Sequence, residues 1–267
     1  MRGDAPERAA ISAAAIAVAS SPGHVALRQR RTLPYDTHTY PFREALAALI
    51  AMEGVEFEAL HASGLLGALP YDSTKGCKKR KRAIEARYHA PSPERDAFLA
   101  LYRRFATDFI APLVREELPE TRALVVQHFP VLRIAPPSDK RIGKPHRDGA
   151  EYCHQRGQIN FWLPLVAVDG NNSLWCESAP GAGDFTPFRA AYGEVVVFDG
   201  NECAHMTKPN DTGRTRVSLD FRVVPGPAFD PDPPISRKHG PQMYTIAKVL
   251  DEVAGPHDQH YYDRLAL

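Results

Sequence analysis

The sequence has almost no excess charge of either sign, few cysteines and no long apolar run. Its 33 basic residues stand against 32 acidic ones, a formal charge of +1, so no overall field drives non-specific binding to nucleic acid or to a lipid surface. Four cysteines (Cys77, Cys153, Cys176 and Cys203) are scattered through 267 residues. With no C-x-x-C pair and no dense framework, they read as reduced thiols of a cytoplasmic protein and imply neither disulfides nor zinc. No stretch approaches the ~20 apolar residues of a membrane-spanning helix. A glycine-rich phosphate loop, a G-x-S-x-G elbow and internal repeats are all lacking, which leaves nucleotide-dependent and serine-hydrolase readings without a foothold.

What is there is a globular composition, 43% apolar and 24% charged, in a length that suits one β-barrel or sandwich with helical additions. Residues 1–33 are expected to be an N-terminal extension, partly disordered or helical. Within it Ala9 to Ala19 is apolar and Ala17-Val18-Ala19 imitates a signal-peptidase site, but Asp4 and Glu7 spoil the basic start such a signal needs. Residues 34–267 are expected to form a single domain. Its helical support spans 42–117, its β core about 123–224, and 225–267 wraps the C-terminal end.

Periodicity predicts one helical region from Phe42 to about Leu60, with Gly54 as a break, and a second that Ser92 caps and Pro93 opens. Pro112 is expected to kink the second, and Pro119 to end it. The basic run Lys75–Arg82 reads as a solvated loop, without the interleaved aromatics of a nucleic-acid surface. Short β-type runs follow: Leu124–Val126, Val131–Ile134, Gln158–Leu165, Ser173–Glu177, Glu194–Phe198, His205–Thr207 and Thr215–Val223. Turn clusters divide them, as in an antiparallel sandwich or barrel. A short helical pattern returns at Tyr244–Val253.

The chemistry concentrates in a few positions. His146-Arg147-Asp148 puts two potential ligands at i and i+2, a pair that composition alone readily supplies. Fifty-seven residues after Asp148, His205 opens a predicted strand. Two imidazoles and a carboxylate form a facial triad suited to ferrous iron, with adjacent coordination positions left open. Arg216 follows eleven residues on, with Ser218 on the same strand face, a fork and hydroxyl suited to gripping a carboxylate.

The ordered set H-x-D, H, R-x-S resembles the iron(II)/2-oxoglutarate dioxygenases. The wording "HRDGAEYCHQRGQINFWLPL", "NSLWCESAPGAGDF", "YGEVVVFDGNECAH" and "NDTGRTRVSLDFRVVP" is similar to the StrG-like subgroup, near the phytanoyl-CoA hydroxylase branch. The resemblance covers roughly residues 130–227. It implies a mainly β fold with flanking helices (α+β), a double-stranded β-helix of the jelly-roll or cupin-like kind. It also implies that His146, Asp148 and His205 bind Fe(II), that 2-oxoglutarate chelates the metal and meets Arg216 and Ser218, and that O2 is consumed with release of succinate. Halogenating relatives lack the carboxylate of the H-x-D pair, so Asp148 favours hydroxylation or another non-halogenating oxidation.

Strand alternation adds weaker candidates. Asn160 is a donor to the cosubstrate or an ordinary buried amide, and Trp162 on the same face is a packing residue. Arg133, Tyr152, His154, Glu177 and Arg222 are candidates for substrate contact. Each has a bland alternative: a structural role for Arg133, a surface turn for Tyr152 and His154, an ion pair for Glu177, and pairing with Asp220 for Arg222. The reading is a cytoplasmic hydroxylase, monomer or homodimer, acting on a small polar metabolite. An amino-acid-like, aminocyclitol or sugar-like substrate in specialised metabolism fits, with no nucleic-acid or membrane partner. A cupin-like metalloenzyme that does not use 2-oxoglutarate, or a non-catalytic binding protein on the same barrel, are the rival readings.

Overall fold

β9 (Arg216–Pro225) is the spine of the molecule. The computed structural model describes residues 5–63, 84–141, 143–149, 155–230 and 262–267, and the basic run Lys75–Arg82, Tyr152, His154 and the Tyr244–Val253 pattern lie outside them. Along β9, Val217, Leu219, Phe221 and Val223 alternate with Arg216, Ser218, Asp220 and Arg222, so one face is apolar and the other polar. β4 (Ile159–Pro164) pairs along one edge of β9, from Ile159 opposite Val223 to Pro164 opposite Ser218. The other edge is shared by β3 (Val131–Ala135), which pairs Arg133 with Ser218, and β2 (Ala123–Gln127), which pairs Val126 with Val223.

The antiparallel sheet runs in the order β1-β7-β4-β9-β2-β10, with β3 also on β9. β1 is Arg31–Pro34, β7 Glu194–Phe198 and β10 Tyr262–Ala266. A second sheet, β6-β5-β8, joins Thr186–Pro187, Leu174–Cys176 and His205–Thr207. It covers the polar face of the first: Phe188, at the end of β6, meets Trp162 and Phe198, and Arg216 donates to the Asn172 carbonyl. This is a mainly antiparallel, two-sheet architecture with helices. Among the described residues the hydrogen bonding does not close it into a continuous barrel, so the closed β-helix expected from sequence is met only in its layers.

The apolar face carries the helices. α3 (Phe42–Ile50) and α4 (Pro93–Phe105) pack over it, and Tyr102 of α4 meets Phe221 edge-on at 5.0 Å, with Phe161 stacked beneath at 5.5 Å. Ser92 caps α4 by accepting from the Arg95 amide. After α4 a wide turn over Ala106–Ile110 leads into α5 (Ala111–Glu117). Pro112 causes it, since its ring would strike the Asp108 carbonyl in a regular helix. The first helical region breaks earlier than expected: Ala51, at φ 54°, closes α3 in the left-handed region, ahead of Gly54. A separate short turn follows at Phe57–Ala62.

The N-terminal residues are tied into this framework. α1 (Ala5–Ala19) and α2 (Pro22–Arg28) bend by 61° at their junction, and no single described helix is long and apolar enough to cross a membrane. The boundary drawn at residue 33 falls inside β1, which pairs along β7 from Arg31 opposite Val197 to Pro34 opposite Glu194. Arg28 reaches Asp199 at 3.3 Å, and His24, fully buried, donates from Nε2 to the Gly157 carbonyl at 2.9 Å.

Burial, reinforced by Arg28 and opposed by that hydrogen bond, lowers the His24 pKa to about 4. Between there and the ordinary 6.5 the unfolded chain binds the extra proton, so this contribution is fully present above pH 6.5 and is lost as the pH falls towards 4. It amounts to about 3 kcal/mol at most. Urea unfolding midpoints are expected to fall over that window in the native protein, and to fall less steeply in His24→Gln.

Candidate metal centre

Two backbone segments far apart in the chain meet beside β5. His146 and His205 form an antiparallel bridge, His146 N donating to His205 O at 3.1 Å and His205 N to His146 O at 3.0 Å. The bridge sets the two imidazoles together, ring centroids 4.3 Å apart. The Asp148 amide donates to the Gly200 carbonyl at 2.9 Å, which fixes the carboxylate beside them. The ligand atoms of His146, Asp148 and His205 all lie within 4.8 Å of one another. Asp148 Oδ1 is 3.7 Å from each Nε2.

The imidazoles have the tautomer a metal requires. His146 Nδ1 bonds the Lys144 carbonyl at 2.9 Å and His205 Nδ1 the Cys203 carbonyl at 3.1 Å. A carbonyl can only accept, so each Nδ1 carries a proton and each Nε2 faces the shared space, the nitrogen left to bind a metal. Burial holds His205 below the usual imidazole range. Asp148 pulls it upward, while His146 and Arg222 add to the lowering. A neutral imidazole pair with one carboxylate is a donor set for a first-row divalent metal with open positions.

Asp148 is held from behind. Its Oδ2 accepts from Gln158 Nε2 at 3.1 Å, Asn160 Nδ2 at 3.0 Å, and Arg222 Nε and Nη2 at 3.3 and 3.2 Å. Two sequence-derived candidates therefore meet the metal ligand itself: Asn160, a candidate for the cosubstrate, and Arg222, a candidate for substrate. Arg222 also reaches Asp220 at 3.4 Å, the expected pairing, and Gln127 at 3.2 Å. Arg133 donates to Asp220 at 2.9 Å with its side chain 47% exposed.

Gln158 and Gln127 were given no role by sequence reasoning. For Gln158 the signal was present, because it shares with Asn160 the face of β4 that turns towards the site. Gln127 could not be found that way, since its contact depends on how β2 registers against β9.

Arg216 is 3% exposed. Among the described residues its hydrogen bond goes to the Asn172 carbonyl at 3.4 Å, while its Nε and the Ser218 hydroxyl, both buried, have no partner. Trp162 packs against the guanidinium, 5.9 Å from carbon to ring centre. Burial, with Arg133 nearby, pushes the Arg216 pKa down to about 10 despite the opposing pull of Asp220, so it remains cationic at neutral pH. A buried cation with idle donors, next to a buried idle hydroxyl, is a receptor for an anion.

Among the described residues Glu177 forms no ion pair of the kind expected of a buried carboxylate. It accepts backbone N–H groups from Gly181, Gly183 and Ala204. Burial alone would raise its pKa, but these three bonds and the field of Arg147 bring it below the usual carboxylate value. The turn 177–183 is thereby pinned to Ala204, next to the strand that carries His205. Cys176 and Cys203, behind the same strand, are buried free thiols.

The fold and site thus bring two imidazoles and one carboxylate together between antiparallel sheets as a set that could hold a metal ion. The streptomycin biosynthesis protein StrG of Streptomyces griseus is 34% identical over 154 residues, which cover 55% of this chain and 73% of that protein. The chain belongs to the StrG family. No protein-family model matches it. Among solved structures, the non-heme α-ketoglutarate-dependent epimerase SnoN from nogalamycin biosynthesis aligns over 92% of this chain and 95% of its own, at 15% identity and TM-score 0.47. The carbocyclase SnoK from the same biosynthesis aligns over 80% and 86%, at 13% identity and TM-score 0.46.

Titration of the metal-free protein with Co(II) is expected to show one site. His205→Ala, checked for folding by circular dichroism, is expected to weaken it by more than roughly 100-fold, since loss of an outer partner alone costs 10- to 100-fold.

Proposed function

We propose that the protein is an Fe(II)- and 2-oxoglutarate-dependent oxygenase, acting as a hydroxylase on a small polar metabolite. The observation that carries this reading is the combination of the His146–Asp148–His205 cluster, ligand atoms within 4.8 Å, with the buried, underused guanidinium of Arg216 on β9. A cupin-like metal centre that works as a Lewis acid has no need of the second element.

Iron with O2 and 2-oxoglutarate supplies oxidative decarboxylation of the keto acid and removal of a hydrogen from the substrate. The chain's own residues bind, orient and exclude water. His146, Asp148 and His205 hold the metal and leave neighbouring positions open. Arg216 and Ser218 take the distal carboxylate of 2-oxoglutarate, as a charge-assisted pair in a low-dielectric pocket. Trp162 closes one side of that pocket. Asn160 reaches the cosubstrate only through Asp148. Arg133 presents the exposed cation on the substrate side. Arg222 and Glu177 contribute by holding the walls.

Kinship with StrG supports a place in specialised metabolism, and the charged stripe of β9 supports an amino-acid-like, aminocyclitol or sugar-like substrate over a hydrocarbon. The same reading takes the enzyme as a cytoplasmic monomer or homodimer, with the double-stranded β-helix as its fold.

Anaerobic addition of Fe(II) and 2-oxoglutarate is expected to give a visible metal-to-ligand charge-transfer band, and aerobic turnover to release succinate in step with a mass change in the substrate. Arg216→Ala is expected to weaken 2-oxoglutarate binding by about 2–5 kcal/mol while Co(II) binding persists. Metal binding without the band, or unchanged 2-oxoglutarate affinity in the variant, overturns the assignment.

A further inference from the structure

Asp148 divides its two oxygens between different tasks. Its side chain is 1% exposed. Oδ1 faces both imidazoles at 3.7 Å, while Oδ2 takes contacts from two amides and both near nitrogens of one guanidinium. A carboxylate is able to ligate through one oxygen or both, and the second mode uses up an additional coordination position.

The donors that hold Oδ2 are themselves held. Gln158 Nε2 also donates to Asn160 Oδ1 at 3.0 Å, which turns the Asn160 amide so that its NH2 faces Asp148. Arg222 is anchored by Gln127 and Asp220 at 3.2 and 3.4 Å, and Asp220 is fixed in turn by Arg133. Gly200 leaves room for the arrangement, since a Cβ there would sit 2.6 Å from Asn160 Nδ2. The donors come from Gln158, just before β4, from Asn160 on β4 and from Arg222 on β9, where Asn160 is registered opposite Arg222.

We infer that Gln158, Asn160 and Arg222 are positioning residues that form a preorganised receptor for one carboxylate oxygen and confine Asp148 to coordination through the other. This rests on the metal-centre reading above and adds to it a reason why the open positions stay open. The Arg222 charge also offsets that of Asp148, so the ligand enters the site as part of a neutral pair. Because the receptor is built from β4 and β9 rather than from the H-x-D segment, it survives loss of the aspartate side chain. In Asp148→Ala it faces a vacated space lined with N–H donors, and a small free carboxylate fits there.

The test uses Co(II) as the metal probe and formate as the carboxylate, read by calorimetry and by the Co(II) visible absorption spectrum. Asp148→Ala is expected to bind Co(II) weakly. Millimolar formate should recover at least about tenfold of the lost affinity, a carboxylate in the receptor being equivalent to a restored outer-held ligand, and bring the spectrum back towards that of the native protein. Asp148→Ala/Arg222→Met should show no such recovery. In the otherwise native chain, Arg222→Met is expected to weaken Co(II) binding about 10- to 100-fold with an altered spectrum, and Arg222→Lys to restore part of both. Absence of formate recovery in folded Asp148→Ala, equal recovery in the double variant, or a native spectrum and affinity in Arg222→Met each overturn the inference while the metal centre stands. A native protein that binds no Co(II) overturns the metal-centre reading and this inference together.

Discussion

Two backbone hydrogen bonds between His146 and His205 hold the site together. They bring segments 59 residues apart in sequence into one ladder step, which bonds from the Asp148 and Gly149 amides to the Gly200 and Asn201 carbonyls reinforce on one side and Thr207 N to Gly143 O on the other. Backbone bonds of this kind are insensitive to side-chain identity but strict in geometry. The consequence is that the ring positions are set before any metal arrives. Each Nδ1 is then satisfied by a local carbonyl, so both rings present the same nitrogen to the same point. Preorganisation of this sort spares metal binding the entropy of collecting flexible ligands.

β9 translates that local order into a working interior. One of its faces is sealed by Tyr102 and Phe161 against Phe221, and its other face carries Arg216, Ser218, Asp220 and Arg222 in succession. The apolar half anchors the strand, which lets Arg216 Nε and the Ser218 hydroxyl be buried with no partner among the described residues, while Asp220 and Arg222 are paired. A stripe of that polarity on a flexible loop would find water or neighbours to satisfy it. On the central strand, flanked on both edges, Arg216 Nε and the Ser218 hydroxyl are cut off from both.

Much of this was legible in the sequence because it depends on local spacing. The seven runs from Leu124 to Val223 and the cap at Ser92 follow from period and turn chemistry. The H-x-D, H and R-x-S order likewise carries the candidate metal and anion residues. What was hidden depends on tertiary register. β1 carries Arg31, Thr32 and Pro34 and has no strand signal of its own until it lies on β7, while β6 is two residues long and β10 follows a proline-rich tail. The break at Ala51 uses a conformation that alanine does not advertise. Glu177 and Asn160 were visible as buried polar groups, but their partners, backbone amides in one case and Asp148 in the other, are chosen by loops and strands that composition does not position.

The contact between Arg28 and Asp199 links the start of the chain to the loop that precedes His205. That loop also supplies the Gly200 and Asn201 carbonyls that receive the Asp148 and Gly149 amides. α2, which ends at Arg28, is therefore tied to the turn that supports the His146–Asp148–His205 cluster. In hybrid proteins built by exchanging segments between relatives, α2 and the 199–203 turn behave as one inherited piece: a graft that moves either alone would separate a guanidinium from the carboxylate it evolved beside.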